Sequence, residues 1–463
     1  MEGNFDTVNF VCPKGDGNFL TSNIAEVADQ YVSPSQIASF CGDGVYYHCD
    51  VGSKLNKHYN INCIFTWDQM HLAATVDSAL RNPKLLHASD FAWLNTLTNM
   101  LGKGVKFVAW GGNFFTFFQI SKELQQDEGY DFKACRPVNF SETKFANSAA
   151  LVYSKFRQAY PALIITLEKV KEDLRTGVST EREKAKRADE VQGGIMDYLF
   201  TLTLSVCVDT YNIYGAISNI LQLINILPHE KMDLFNKLLQ KLSKMKCFLK
   251  REVCPCMRIT SCDEEVDDTV GVKDMELESE GILSEVCYWP ALHKDILEVQ
   301  VKGKYRGVVL GQLQAEQSRT RVGSKITKQW LKEDTDTVIK KVYSRADQLV
   351  TFLEQGLSEK VYSDENVKMM NHTRRLLDLK SVLQKVKNNG YAHVSDFTWK
   401  TFRTAALYFE PEVFLRVEED SMRMQHRDFH RVLEMLAKTD TNSLLSSMEL
   451  LKKFLDLSGN LSR

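Results

Sequence analysis

The sequence predicts a helix-dominated protein: a small α/β head followed by a large, mostly α-helical body. Three observations predict it. Short β-prone runs alternate with helical stretches up to about residue 88. From residue 89 onward, apolar residues recur mainly at helical spacing. Nine prolines and 24 glycines in 463 residues are too few for a loop-rich or all-β chain. A prior of about 150 residues per domain allows two to four domains, or one domain with a large insertion.

The elements follow in order. "FDTVNFVC" (5–12) reads as a strand and "PKGDGN" as its turn. Residues 18–31 read as a helix, with Phe19, Leu20, Ile24, Val27, Ala28 and Tyr31 on its apolar face. "SQIASFC" (35–41) is a second strand, ending at "GDG"; "VGSKLNKHY" (51–59) is a short helix; "INCIFTW" (61–67) is a third strand that hands over to a helix at "WDQMH". "SDFAWLNTLTNML" and "GNFFTFFQISKELQQ" read as helices with Ser or Asn near the N-cap. The Ser-Asp start recurs in "HVSDFTWKTF" at 393. Residues 141–174 read as helical except around Pro161, and 181–245 as two or three long helices broken at Pro228. Residues 246–288 read as an irregular segment, strongly acidic from Asp263 to Glu285. Helices resume at about 308, run to 386 and return over 395–456.

Composition bounds the function. A net charge of −2 leaves no global basic excess, so a nucleic-acid site has to be a local patch. Eleven cysteines without a regular framework, and no signal peptide in residues 1–20, point to reduced thiols in a nuclear or cytoplasmic compartment. The most apolar region, 195–227, contains Asp197, Asp209, Asn212, Asn219, Gln222 and Asn225, which suits a buried bundle helix and not a membrane span.

Each candidate site has a structural alternative. Asp43, after a strand and between glycines, is placed to hold a divalent metal, and Asp-Gly is equally strong turn chemistry. Asp68 and His71 share a helix face at i,i+3, where Asp68 also suits an N-cap and His71 a half-buried core position. Cys247, Cys254, Cys256 and Cys262 lack the paired knuckles of common zinc modules. His426 and His430 sit at i,i+4, the spacing of a chelate, but no cysteine pair precedes them to complete a zinc finger, which favours a solvent-facing helix. Phosphate-loop, dinucleotide, serine-hydrolase and zinc-protease motifs are absent.

Taken in order, a strand ending in "GDG", a strand ending in "WDQMH" and a long helical segment resemble the later part of the RNase H-like core of hAT-superfamily transposases. "SETKFANSAALVYSKFRQAYPALIITLE" is similar to the start of that family's helical insertion, and "LTLSVCVDTYNIYGAISNILQ" to a later helix, with Asp209, Ser218 and Gln222 in register. The resemblance covers residues 5 to about 245 and makes Asp43 the second metal carboxylate, with Asp68 and His71 as the following D-x-x-H motif. It implies a map of five parts: 1–88, a partial RNase H-like α/β core; 89–245, the first part of a helical insertion; 246–290, an acidic, Cys-containing loop; 291–390, the second part; and 391–463, C-terminal helices returning to the core.

The sequence departs from the family. The first carboxylate belongs on a strand that would precede residue 1, leaving Asp6 as the stand-in. The third is unassigned among Glu410, Glu412, Glu418 and Glu419. The family's Arg-Trp, implicated in handling flipped DNA, is Lys144-Phe145. Neither the zinc-finger domain nor the dimerisation motif is recognisable. The expectation is a transposase-derived protein that no longer cleaves DNA and binds nucleic acid or protein, with DNA contacts at Lys144, Phe145, Lys155, Arg157 and, further on, Lys184, Lys186 and Arg187. Solvated helix faces are the plainer account of those cations. The alternatives are an active nuclease or strand transferase using Mg²⁺ or Mn²⁺, and a helical protein-interaction scaffold. The partners implied are DNA, other proteins or a second copy of the chain, without a membrane.

Overall fold

A computed structural model of the chain describes residues 16–34, 39–42, 46, 48–61, 64–81, 90–126, 135–138, 145–223, 226–249, 287–310, 315–322, 325–331, 335–361, 364–389, 398–409, 419–437 and 445–461. Helices dominate these residues, and the strands among them form two-stranded pairs. The chain divides into two compact units: Met1–Ala73 with Leu221–Leu234 and Glu359–Arg463, and Ala74–Ile220 with Phe235–Ser358.

The first unit opens with α1 (Gly17–Ala28), capped by Asp16, whose carboxylate accepts from Asn18 N at 3.0 Å and Phe19 N at 3.2 Å. Strand β1 (Ser39–Gly42) precedes α2 (Val51–Tyr59), and β2 (Ile64–Trp67) leads into α3 (Gln69–Arg81). β1 and β2 pair in parallel, Ser39 opposite Ile64 and Gly42 opposite Trp67. Leu20, Val51 and Leu55 form a small core with Ile24, Phe40, Tyr46 and Tyr59 around it. The predicted strand over 5–12 lies outside the described residues.

The second unit is built on long helices: α4 (Ala92–Phe107), α5 (Gly111–Gln126), α6 (Phe145–Leu174), α7 (Ser179–Ile195), nearly all of α8 (Tyr198–Gln222), α9 (Pro228–Leu249) from Phe235 onward, and α10 (Pro290–Lys302). The expected break at Pro161 is not there, because α6 runs through it. Proline removes one backbone bond, but Tyr160, Ala162 and Leu163 beside it are fully buried, and their packing offsets the loss. Pro228 opens α9 as predicted, at a position whose N–H has no helical partner anyway. No single described helix is long and apolar enough to cross a membrane; α7 and α8 meet that test only together, bent by 68°, and α8 is largely buried inside the unit.

Phe91 stands at the cap position of α4, buried against Phe352 with ring centroids 5.3 Å apart, and the predicted Ser89 lies outside the described residues. Asn113 donates to Phe107 O at 3.1 Å and so closes α4 instead of opening α5.

Residues 303–331 correct the reading of helix from about 308. α10 precedes them, and β3 (Lys304–Tyr305) turns back on β4 (Val308–Val309) through Arg306 and Gly307, both at positive φ, the requirement of a two-residue hairpin. Glu298 accepts from both turn N–H groups at 2.8 Å. β5 (Ala315–Val322) and β6 (Lys325–Leu331) form a second antiparallel pair.

The chain continues through α11 (Thr335–Lys360), α12 (Asp364–Leu377), α13 (Leu379–Asn389), α14 (Trp399–Phe409), α15 (Glu419–Ala437) and α16 (Ser447–Leu461). In the first unit, Leu379, Val382, Val432, Leu433, Leu436 and Phe454 form a second core. Thr398 caps α14 by accepting from Thr401 N at 3.2 Å, and the predicted Ser395-Asp396 lies outside the described residues.

Candidate functional site

The strand–helix junction is the first place predicted to hold chemistry. Asp68 N donates to Gly42 O at 2.9 Å, extending the ladder by one residue, and Asp68 O accepts from Leu72 N at 3.0 Å, the first bond of α3. Asp68 therefore stands at the N-cap position, and His71 lies half-buried in the first turn. Asp43 itself, like Asp6, Lys144, Glu410, Glu412, Glu418 and the cysteines at 254, 256 and 262, lies outside the described residues. For Phe145 and Cys247 only the backbone is described. Glu419 is exposed and paired with Arg423 at 3.1 Å, whose hydrogen bond holds its carboxyl below the usual range. Among the described residues, no group of three or more His, Cys, Asp or Glu side chains is placed to hold a metal ion.

The basic residues separate sharply. Arg157 is corrected from surface to interior: it is 3% exposed and forms a bidentate pair with Asp295 at 2.9 and 2.8 Å. A guanidinium held this way has no face left for a phosphate. Lys155 is half-buried two residues earlier. Next to it the Cys135 thiol donates to Lys155 O at 3.4 Å, and burial pushes that thiol up to about 11. Lys184, Lys186 and Arg187 are exposed on α7, interleaved with Glu183, Asp189 and Glu190; Arg187 pairs with Glu183 at 2.7 Å. Such a helix face is close to neutral and offers little to a polyanion.

Around Arg157 is a buried network that the composition hinted at. Thr201, Ser205 and Asp209 recur every fourth residue along α8, a polar stripe in an apolar helix. Ser205 donates to Asp295 and lies 3.4 Å from the Tyr305 hydroxyl. Asp209 accepts from Ala291 N at 3.1 Å and Leu292 N at 2.9 Å, so it caps α10 from a distant helix. Those two bonds favour the carboxylate, yet burial outweighs them and pushes Asp209 up to about 7. On another side Tyr211 donates to Asp77 at 2.6 Å. Cys287 and His293 approach to 3.4 Å, but burial lowers His293 to about 4, so the imidazole is neutral and does not draw the thiol toward thiolate.

A surface feature begins at Trp110, just before α5, and runs along that helix. Trp110, Phe114, Phe118 and Lys122 recur every fourth residue, and Phe115 adjoins them. Trp110 is 81% exposed, Phe115 67% and Phe118 47%. Arg136, anchored by donating to Ala109 O at 3.0 Å, lies over Trp110 at 5.5 Å and Phe114 at 5.2 Å. Lys122 lies over Phe118 at 4.6 Å. Phe114 and Phe118 stack at 22°. Lys122 and Arg136 place positive charge against these rings, so the face is aromatic and cationic together. The spacing in "WGGNFFTFFQISK" was the available signal, since α5 has more aromatic positions than one buried stripe can use. No protein-family model, curated protein or solved structure matches this chain.

Proposed function

We propose that the chain is a diverged hAT-like protein that binds single-stranded nucleic acid and does not cleave it. The observation that carries the binding is the α5 face. Exposed aromatic planes stack bases regardless of sequence, and cations beside them neutralise phosphates. Trp110, Phe115 and Phe118 supply planes, and Lys122 and Arg136 supply charge. An apolar protein partner would gain from the aromatics but would bury the cations without compensation.

The RNase H-like remnant is supported by the parallel β1–β2 pair, which brings the residue before Asp43 into hydrogen-bond contact with Asp68. Loss of cleavage is supported by Lys144-Phe145 in place of Arg-Trp, and by the first and third carboxylates that have no assigned residue. Two-metal phosphodiester chemistry needs a full carboxylate set to hold both ions.

Fluorescence anisotropy with a labelled oligothymidylate tests the binding. The double variant Trp110→Ala/Phe115→Ala loses about 1–3 kcal/mol per stacked base, roughly ten-fold or more in affinity. Affinity also falls steeply with added salt. Unchanged affinity in the variant rejects the α5 face as the site. Hairpin and nicked DNA incubated with the protein in Mn²⁺ should stay intact; cleavage that disappears in Asp43→Ala would show an active nuclease.

A further inference from the structure

His426 and His430, one turn apart on α15, have their Nε2 atoms 3.2 Å apart. Two imidazole nitrogens at that distance either share a proton or share a cation. We infer that the pair is a bis-histidine chelate for a divalent transition-metal ion of the zinc type. With metal–nitrogen bonds of about 2.0–2.1 Å, a 3.2 Å separation subtends roughly 100° at the ion, near the tetrahedral value of about 109°. Histidines at i,i+4 on one helix face are a recurrent donor pair for such ions. One ring is held by its neighbours: His426 packs against Trp399 at 5.7 Å and Phe402 at 5.4 Å from α14, and the two imidazoles stand edge to face at 87°. An imidazole fixed by neighbouring rings loses little freedom when an ion binds. Both histidines are only half-buried, so water or a ligand from solution completes the coordination shell. Borderline imidazole donors select zinc, nickel and copper over magnesium or calcium. This site is independent of the nucleic-acid reading and shares no residue with it.

Trp399 supplies the readout. Ni²⁺ bound at the pair lies within reach of the indole and quenches its emission. Titration of the full chain with NiCl₂ should give a saturable quench that EDTA reverses and that Zn²⁺, which has no unpaired electrons, relieves as it displaces nickel. Trp399→Phe should abolish the quench. His426→Gln and His430→Gln, each leaving one donor, should each move the midpoint at least ten-fold higher. Melting temperatures without metal identify any variant that fails to fold, and the other single variant then decides. A quench of unchanged midpoint in a folded single variant, or no saturable quench in the parent chain, overturns the assignment and leaves a proton-sharing pair.

Discussion

Two arginines in the helical unit show what position does to a charge. Arg157 and Arg136 both neighbour aromatic residues in sequence or space. Arg157 is sealed in the interior, where Asp295 neutralises it and Ser205 completes the carboxylate's bonds. Arg136 is exposed, held by one backbone carbonyl, and covers one side of Trp110 and Phe114. The interior arginine is committed to holding helices together; the surface one keeps donors for a ligand. Counting cations along the chain would treat them alike.

The largest expected effect breaks the interior side of that contrast. Asp295→Ala leaves a buried guanidinium unpaired and should destabilise the chain by about 3–5 kcal/mol in urea unfolding. Replacing both partners, Arg157→Met with Asp295→Leu, should recover most of that loss. A double variant as unstable as the single one would mean that the pair itself, not the uncompensated charge, stabilises the unit.

A steric test comes next. At Gly356 in α11, an added Cβ would meet Val76 Cγ1 at 2.6 Å. Val76 is buried and branched, so it cannot swing away. Gly356→Ala gains about 1 kcal/mol of helix propensity but should lose more, about 1–3 kcal/mol, to overpacking. A melting temperature at or above that of the parent chain would contradict this close approach.

Asp209 sharpens the comparison through pH. Its folded value lies near 7, raised above the model-compound 3.8, so the native state holds a proton that the unfolded chain releases. This group therefore adds stability at low pH, and that contribution is lost as pH rises from about 4 to about 7. Asp209→Asn keeps an acceptor for the α10 cap and removes the titration. Its melting temperature relative to the parent should be more favourable at pH 8 than at pH 5. A constant difference across that range would show that Asp209 does not titrate there.

The smallest effect is on the surface side. Trp110→Ala should change stability by no more than about 0.5 kcal/mol, since its ring is mostly exposed. A larger loss in the same unfolding assay would make the ring part of the fold and weaken its claim as a binding platform.

Local signals made much of the fold legible. The helix over 18–31, "VGSKLNKHY" as a short helix and the break at Pro228 follow from spacing and propensities that act over a few residues. The β2–α3 handover at Asp68 was legible for the same reason. Pro161 and the hairpins of 303–331 were not, because burial and partner strands decide them, and a window of sequence contains neither. The site divides likewise. The sequence alone determined that α8 is an apolar helix with a polar stripe, and that His426 and His430 share a helix face, since helical spacing is a property of the chain itself. Tertiary structure alone decided that Arg157 is buried against Asp295, 138 positions away, that Asp209 caps α10, and that Trp110 stays exposed. Charge pairing and desolvation act through space over a few ångströms, so which neighbour a side chain meets is settled only when distant helices pack.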